Sequence, residues 1–485
     1  MKHFTNTRIN ILAAVAIAAA IQSGCFPRQL IIWSPDATRA VVMDANSTSI
    51  CDGEGKLARL DVGATQAAAW MPDSKTVILA MSKSADTWTD LAKVLDTPTR
   101  HAVIAAADDL EKAILAEPAD ARLTDDDFEP IVKRIFENRG SLLSAALVYL
   151  RDAKPDALRK RLGEKWKDLD EMSTSYSQLR MFDLDNMSIK PGATILNSLL
   201  GIYGVRLAPN GQAVAYITGS DKTKEALTLW LAPATANATP RELADRVAMF
   251  PDWSTDGRYI AYIQSAGAKD GKPVQVATLS RRQVADDAGN LLDRLPKADD
   301  LAAVVFDTNQ TARCLPDGRI LFASADMTLP AVVEKAKKPI SIFAFKPGQP
   351  ASVARLIPAK RARQLPDNPI FQLSPDGKLI CMTNSAKVAV LDLASGKATL
   401  VQRTEGKLQM LPSWRAPAEL CFIVPATKDD PDARPEVALW SAGKTKIISK
   451  TWPNKVMEKL TFVPSPKQAI TTAPATMPGQ EDKGF

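Results

Sequence analysis

Histidine sets the first limit on the chemistry this chain can perform. Among 485 residues there are two, His3 and His101. His3 lies in a segment that reads as removable, so a mature protein would keep one imidazole. That leaves little room for a Ser-His-Asp or Cys-His centre and rules out a multi-histidine zinc site. Carboxylate chemistry stays open. Asp36, Asp73, Asp256, Asp317 and Asp376 recur in near-identical short contexts. Repetition in the same context points to turn formation rather than to a catalytic or metal cluster. Asp183, Asp185 and Asn186 form an oxygen-rich run, but it lacks the glycine and distal glutamate of a calcium loop. Asp125, Asp126 and Asp127 suit the positive end of a helix. No G-x-S-x-G elbow, P-loop or G-x-G-x-x-G occurs, so no catalytic residue, metal ligand or cofactor site is assigned.

The amino terminus carries a different kind of chemistry. Lys2, His3 and Arg8 form a basic stretch, and Ile9 to Ile21 follow without a charge. That run is short for a bilayer span and suits the apolar core of an export signal. It ends at Gln22-Ser23-Gly24-Cys25, which resembles a bacterial lipobox. Cys25 would then become the lipid-bearing first residue of the mature chain. Gln22 departs from the usual aliphatic at that position. Cleavage after the alanine-rich stretch and retention as an uncleaved anchor are the other readings. Phe26 does not resemble an inner-membrane retention signal, which favours the outer membrane.

Composition is that of a soluble protein with ample core. Hydrophobic residues make up 46% and charged residues 24%. The formal charge of +6 is spread thinly, with no basic cluster of the kind a phosphate backbone requires. Nucleic acid is therefore not expected as a partner.

The elements that position these residues announce themselves by repetition. The copies open at Trp33-Ser34-Pro35-Asp36, Trp70-Met71-Pro72-Asp73, Leu207-Ala208-Pro209-Asn210-Gly211 and Trp253-Ser254-Thr255-Asp256-Gly257. They continue at Cys314-Leu315-Pro316-Asp317-Gly318 and Leu373-Ser374-Pro375-Asp376-Gly377, with a degenerate seventh at Trp414-Arg415-Ala416-Pro417. Proline presets the first central angle of a turn, Asp or Asn suits the next position, and glycine accepts a positive φ. A short apolar strand follows each turn, as in 39–44, 76–81, 213–218, 259–264, 320–324, 379–383 and 420–424. An alternating third strand comes next, as in 226–231, 274–279, 340–345, 387–392 and 436–440. A fourth is visible at 398–402. Four strands per unit repeated around an axis make a propeller blade.

This turn, with its apolar strand and an x-Val-x-Leu-Asp strand, resembles the TolB-like propeller repeat over most of residues 26–465. The resemblance implies an all-β propeller of seven four-stranded antiparallel blades, with six or eight left open because 459–463 could close the ring or begin another blade. Ala37 and Ser74 replace the expected glycine, and the last copy lacks the Asp. Cys314 takes a tryptophan slot. Cys381 and Cys421 fall in corresponding strands of neighbouring blades, too far apart to bridge, so buried thiols are expected there.

From about Ala80 to Tyr176 the pattern turns helical. Helices are expected from Asp90, from His101 to Leu115, from Thr124 to Phe136, from Leu142 to Arg151 and from Pro155 to Met172. Strand pattern resumes at 177–185 and 193–196. The helices thus form an insertion between the second and third strands of blade two, with stripes (Leu91, Val94, Leu95; Ile131, Ile135) suited to packing them together. The expected organisation is signal 1–25, propeller 26–83, helical insertion 84–174, propeller 175–465 and a disordered tail 466–485.

Function is read from this architecture. The expectation is a non-catalytic protein-binding or scaffold module of the cell envelope, monomeric, tethered to the membrane through a lipid on Cys25, and facing the periplasm or the surface. The TolB family's amino-terminal domain is not visible, so its partners are not carried over. The alternatives are a carboxylate enzyme, a lyase or glycosidase, and a ligand-sensing propeller acting on envelope polysaccharide or peptide. Ser254-Thr255-Asp256-Gly257 differs from the sialidase Asp-box in placing its glycine one residue early. Trp88, Trp166, Trp230, Trp440 and Trp452 either line a sugar-binding face or pack the blades.

Overall fold

The computed structural model describes residues 31–447, apart from 44–47, 53–56, 116–124, 137–139, 164–165, 186–187, 221–225, 267, 270–271, 274–275, 306–309, 326–339, 350–353, 357–369, 384–386, 404–411, 425–435, 442–443. The export segment with Cys25, the 459–463 strand, Trp452 and the tail lie outside the described residues. No helix among the described residues is long and apolar enough to cross a membrane.

Seven four-stranded antiparallel sheets follow one another along the chain. Each is a simple meander running from the innermost strand outwards. Blade one is Ile31–Trp33, Arg39–Met43, Thr48–Asp52 and Leu57–Leu60. Blade seven is Ser413–Ala416, Glu419–Val424, Glu436–Ser441 and Lys444–Ile447. The innermost strands of blades one and seven meet, closing the ring. Among the described residues no strand is exchanged across that seam: each of the two sheets is built from its own stretch of chain. Instead the Arg415 guanidinium sits 5.1 Å from the centre of the Trp33 ring, a cation–π contact.

The apolar second strands are buried on both faces because a blade lies on either side. Val77, Ile78, Leu79 and Ala80 are fully buried, as are Ile380, Cys381 and Met382. The tryptophan slot ties successive blades together. The indole nitrogens of Trp70, Trp253 and Trp414 donate to the carbonyls of Ile32, Arg206 and Gln372 at 2.9, 3.1 and 3.0 Å, each on the preceding blade's innermost strand. Cys314 occupies the same slot, its Sγ 3.9 Å from the Asp252 carbonyl. Cys51, Cys314, Cys381 and Cys421 are buried and form no disulfide among the described residues.

The turn aspartates are used locally. Asp36 Oδ1 accepts from Ser34 Oγ at 2.6 Å and from the Thr38 amide at 3.1 Å. Asp256 and Asp376 repeat this with Ser254 and Ser374. Slight burial pushes these carboxyls up, but the hydrogen bonds outweigh it and hold Asp36, Asp256 and Asp376 below the ordinary range.

The fourth turn position needs the left-handed region. Glycine supplies it at Gly257 (φ +72°) and Gly377 (φ +71°), whereas Ala37 and Ser74 adopt it at +59° and +56°. Ala37→Gly is expected to stabilise the fold by about 1 kcal/mol by relieving that strain. Ser74→Gly is expected to change little, because Ser74 Oγ also accepts the Asp36 amide of the neighbouring blade at 3.1 Å. Urea unfolding of the two variants checks this; equal gains for both would contradict it.

Candidate functional site

Two regions depart from the repeat. The first is the helical insertion. The second and third strands of blade two, Thr76–Ala85 and Thr174–Asp185, stay paired out to Ala85 opposite Thr174. The helices stand on the end of this long hairpin. They are α1 (Trp88–Val94), α2 (Thr97–Leu115), α3 (Asp125–Phe136), α4 (Leu142–Ala153), α5 (Pro155–Leu162) and α6 (Trp166–Asp170). Thr87 caps α1 by accepting the Asp90 amide at 3.2 Å. The single helix expected from Pro155 to Met172 is broken: Gly163, whose φ of +58° glycine adopts at little cost, ends α5. The third strand starts at Thr174, three residues before the pattern suggests.

In a meander, the connections from second to third strand leave the disc on the face opposite the Pro-Asp-Gly turns. The insertion therefore stands on that opposite face. Ala106, Leu110, Leu147, Leu150 and Leu162 share one core between the helices, with Ile131 and Ile135 packed against it. Leu91 and Leu95 join Ala85 and Leu199 of blade two in another. Asn197 Nδ2 donates to the Val94 carbonyl at 2.7 Å. Arg151 is 8% exposed and donates to the carbonyls of Asp86, Asp170 and Met172. These interactions seat the helices on the disc rather than hang them from it.

The second region is the wall of the central channel. The residue preceding the tryptophan slot occupies one register position in all seven innermost strands: Ile32, Ala69, Arg206, Asp252, Arg313, Gln372 and Ser413. Blades one and two place apolar side chains there, and blades three to seven place polar ones. Arg313 is 4% and Gln372 8% exposed, while Arg206 and Asp252 are half-buried. Arg313 Nη1 donates to the Ala312 carbonyl at 2.8 Å, with the Pro251 carbonyl at 3.5 Å. Asp252 Oδ2 accepts the Cys314 amide at 3.0 Å. Burial, and next the like charge of Arg206, push the Arg313 guanidinium down to about 9. Burial also lowers Arg206, with Asp252 opposing it. A guanidinium keeps its proton at neutral pH; the downward push expresses positive charge that is poorly met. Two such groups beside one carboxylate can hold an anionic group. They do not form the paired carboxylates of a glycosidase.

The residues singled out in sequence lie elsewhere. His101 is exposed on α2. Asp183 accepts Thr76 Oγ1 at 3.2 Å and Asp185 pairs with Lys190 at 3.3 Å. Trp88 packs edge-on against Tyr149, Trp230 stacks near Tyr216, and Trp440 packs against Trp414. The channel arc was missed, although aligning the repeats and reading the column before the tryptophan would have exposed it.

No family model matches the chain, and no curated protein matches it. Solved propellers align with it at low identity. The β-propeller domain of Cps50 (Swd1) from Myceliophteria thermophila aligns over 87% of this chain and 97% of that one, at 9% identity and TM-score 0.38. The β-propeller domain of the Trilobed protease from Pyrococcus furiosus aligns over 58% and 76%, at 13% identity and TM-score 0.36. A TolB-type protein from Agrobacterium tumefaciens aligns over 54% and 83%, at 14% identity and TM-score 0.33. At these levels neither activity nor partner transfers to this chain.

Proposed function

We propose that the protein is a non-catalytic binding module of the bacterial cell envelope. It is exported, held at the membrane by a lipid on Cys25, and uses the helix-bearing face of its propeller to engage a protein partner. The observation that supports this reading most is the seating of the insertion. Its helices share a core with blade two, and Arg151 ties Asp86 at its start to Met172 at its end. A preorganised surface loses less entropy on binding than a loose one. The connection between the second and third strands of blade four, which includes the paired strands Ala268–Lys269 and Lys272–Pro273, leaves on the same face.

The register of Ala85 opposite Thr174 permits a direct test. Residues 86–173 can be replaced by an Asn-Gly turn that closes the hairpin. Envelope extracts are then passed over the whole chain and over this variant. The expected result is loss of the partners held by the whole chain; an unchanged set of captured proteins overturns the assignment of the helical face. In the same preparation, Cys25→Ser is expected to move the protein from the membrane pellet to the soluble fraction. Its retention in the pellet would remove the lipid anchor from the reading.

A further inference from the structure

We propose that Arg206, Arg313 and Gln372 form an oxyanion-binding site in the wall of the central channel, fitted to a single carboxylate group. It goes beyond the protein-binding reading and does not depend on the helical insertion.

Four consecutive innermost strands bring the site together. Arg206, Asp252, Arg313 and Gln372 hold the same register position in blades three, four, five and six, so their side chains form one continuous arc. The donors outnumber what the protein offers them. Among the described residues, no hydrogen bond or ion pair reaches the Arg206 guanidinium, and Arg313 meets only main-chain carbonyls. Gln372 Nε2 is buried without a hydrogen-bond partner. A buried donor left unmet is costly; Gln372 carries one, and Arg206 adds, at the same register position of a nearby blade, a half-buried guanidinium that meets no hydrogen-bond partner among the described residues. Asp252 offsets only part of this charge. Its Oδ2 is occupied by the Cys314 amide, and it forms no ion pair with either arginine.

Charge selects the ligand. Two guanidinium groups and one carboxylate leave one formal positive charge in the arc. A carboxylate cancels it, whereas a phosphate dianion would leave the arc negative. The planar guanidinium fork and a side-chain amide are also the donors that match a carboxylate's two oxygens. The strands that carry them are held in place: the Arg206 carbonyl receives the Trp253 indole and the Gln372 carbonyl the Trp414 indole. The backbone that carries these donors is thus held in place before any ligand arrives.

The test is thermal unfolding of the full chain in sodium acetate, sodium phosphate and sodium chloride at matched ionic strength. A ligand that binds the folded state raises the midpoint saturably. Acetate is expected to raise it by about 2 °C over chloride at saturation. Arg206→Met is the decisive variant, because among the described residues the guanidinium has no hydrogen bond or ion pair to lose. It should fold with an unchanged or higher midpoint in chloride and show no acetate-dependent rise. Arg206→Lys should retain a weakened rise. Gln372→Leu should fold and need a higher acetate concentration for half the effect. A saturable acetate rise that persists in Arg206→Met overturns the proposal, as does the absence of any rise in the unaltered chain. A phosphate rise equal to that of acetate overturns the carboxylate assignment. The chain with residues 86–173 replaced should keep its acetate response, so failure of the helical-face reading leaves this one standing.

Discussion

Arg151→Met is expected to loosen the helical insertion by about 3 kcal/mol while the seven blades keep their stability. The arginine sits on α4 and is almost wholly buried. Its guanidinium reaches the carbonyls of Asp86, Asp170 and Met172 and pairs with Asp152 at 2.9 Å. It therefore bridges the strand-to-helix exit and the helix-to-strand return of the insertion. Methionine fills a similar volume but offers no donor, so the carbonyls lose their partner in a place water enters poorly. A hydrogen bond from a charged donor contributes about 1.5–3 kcal/mol, and stranded acceptors add to the cost. The effect should stay local, because the insertion has its own core between its helices. Hydrogen exchange resolves it: amides in α4 to α6 should exchange markedly faster, and amides in the second strands of the blades should not. Unchanged exchange in α4 to α6 would contradict the bridging role. The same variant bears on function, since a loosened insertion should weaken partner capture in proportion.

Phe371→Ala should lower the stability of the propeller itself by about 4 kcal/mol. Phe371 is 0% exposed, on the innermost strand of blade six. It packs among Leu315, Leu321 and Ala323 of blade five and Ile380 and Met382 of its own blade. Truncation removes a phenyl group from that interface and leaves a cavity. The cavity cannot readily collapse, because both blades are fixed by their other neighbours in a closed ring. The upper half of the range for aromatic truncations therefore applies. Guanidinium unfolding should show a lower midpoint at unchanged slope. A loss under about 1 kcal/mol would mean that neighbouring blades can move together to fill the gap.

The ring seam shows how far local pattern reaches. Trp33 reads in sequence as one more tryptophan slot, and it fills that slot. That Arg415, in the degenerate seventh copy, would stack on it requires the two ends of the repeat to meet. Cys314 shows the converse. Its place in the tryptophan slot is legible from alignment of the copies, and its Sγ lies against the Asp252 carbonyl as the indoles lie against theirs. The helix expected from Pro155 to Met172 failed at Gly163, whose apolar neighbours kept a helical period across a residue with positive φ.

By itself the sequence determined the blades. Turn angles at the Pro-Asp-Gly positions and the apolar period of the strands that follow are set within a few residues, and seven copies state them repeatedly. The helical insertion in blade two is legible for the same reason, since its period differs from that of a strand. Only the tertiary structure decided which side chains share a space. Arg206, Asp252, Arg313 and Gln372 belong to four different blades, and each alone is an ordinary polar residue near a strand end. Closure of the ring sets them side by side in the channel wall, and charge becomes concentrated there through proximity that no local pattern encodes.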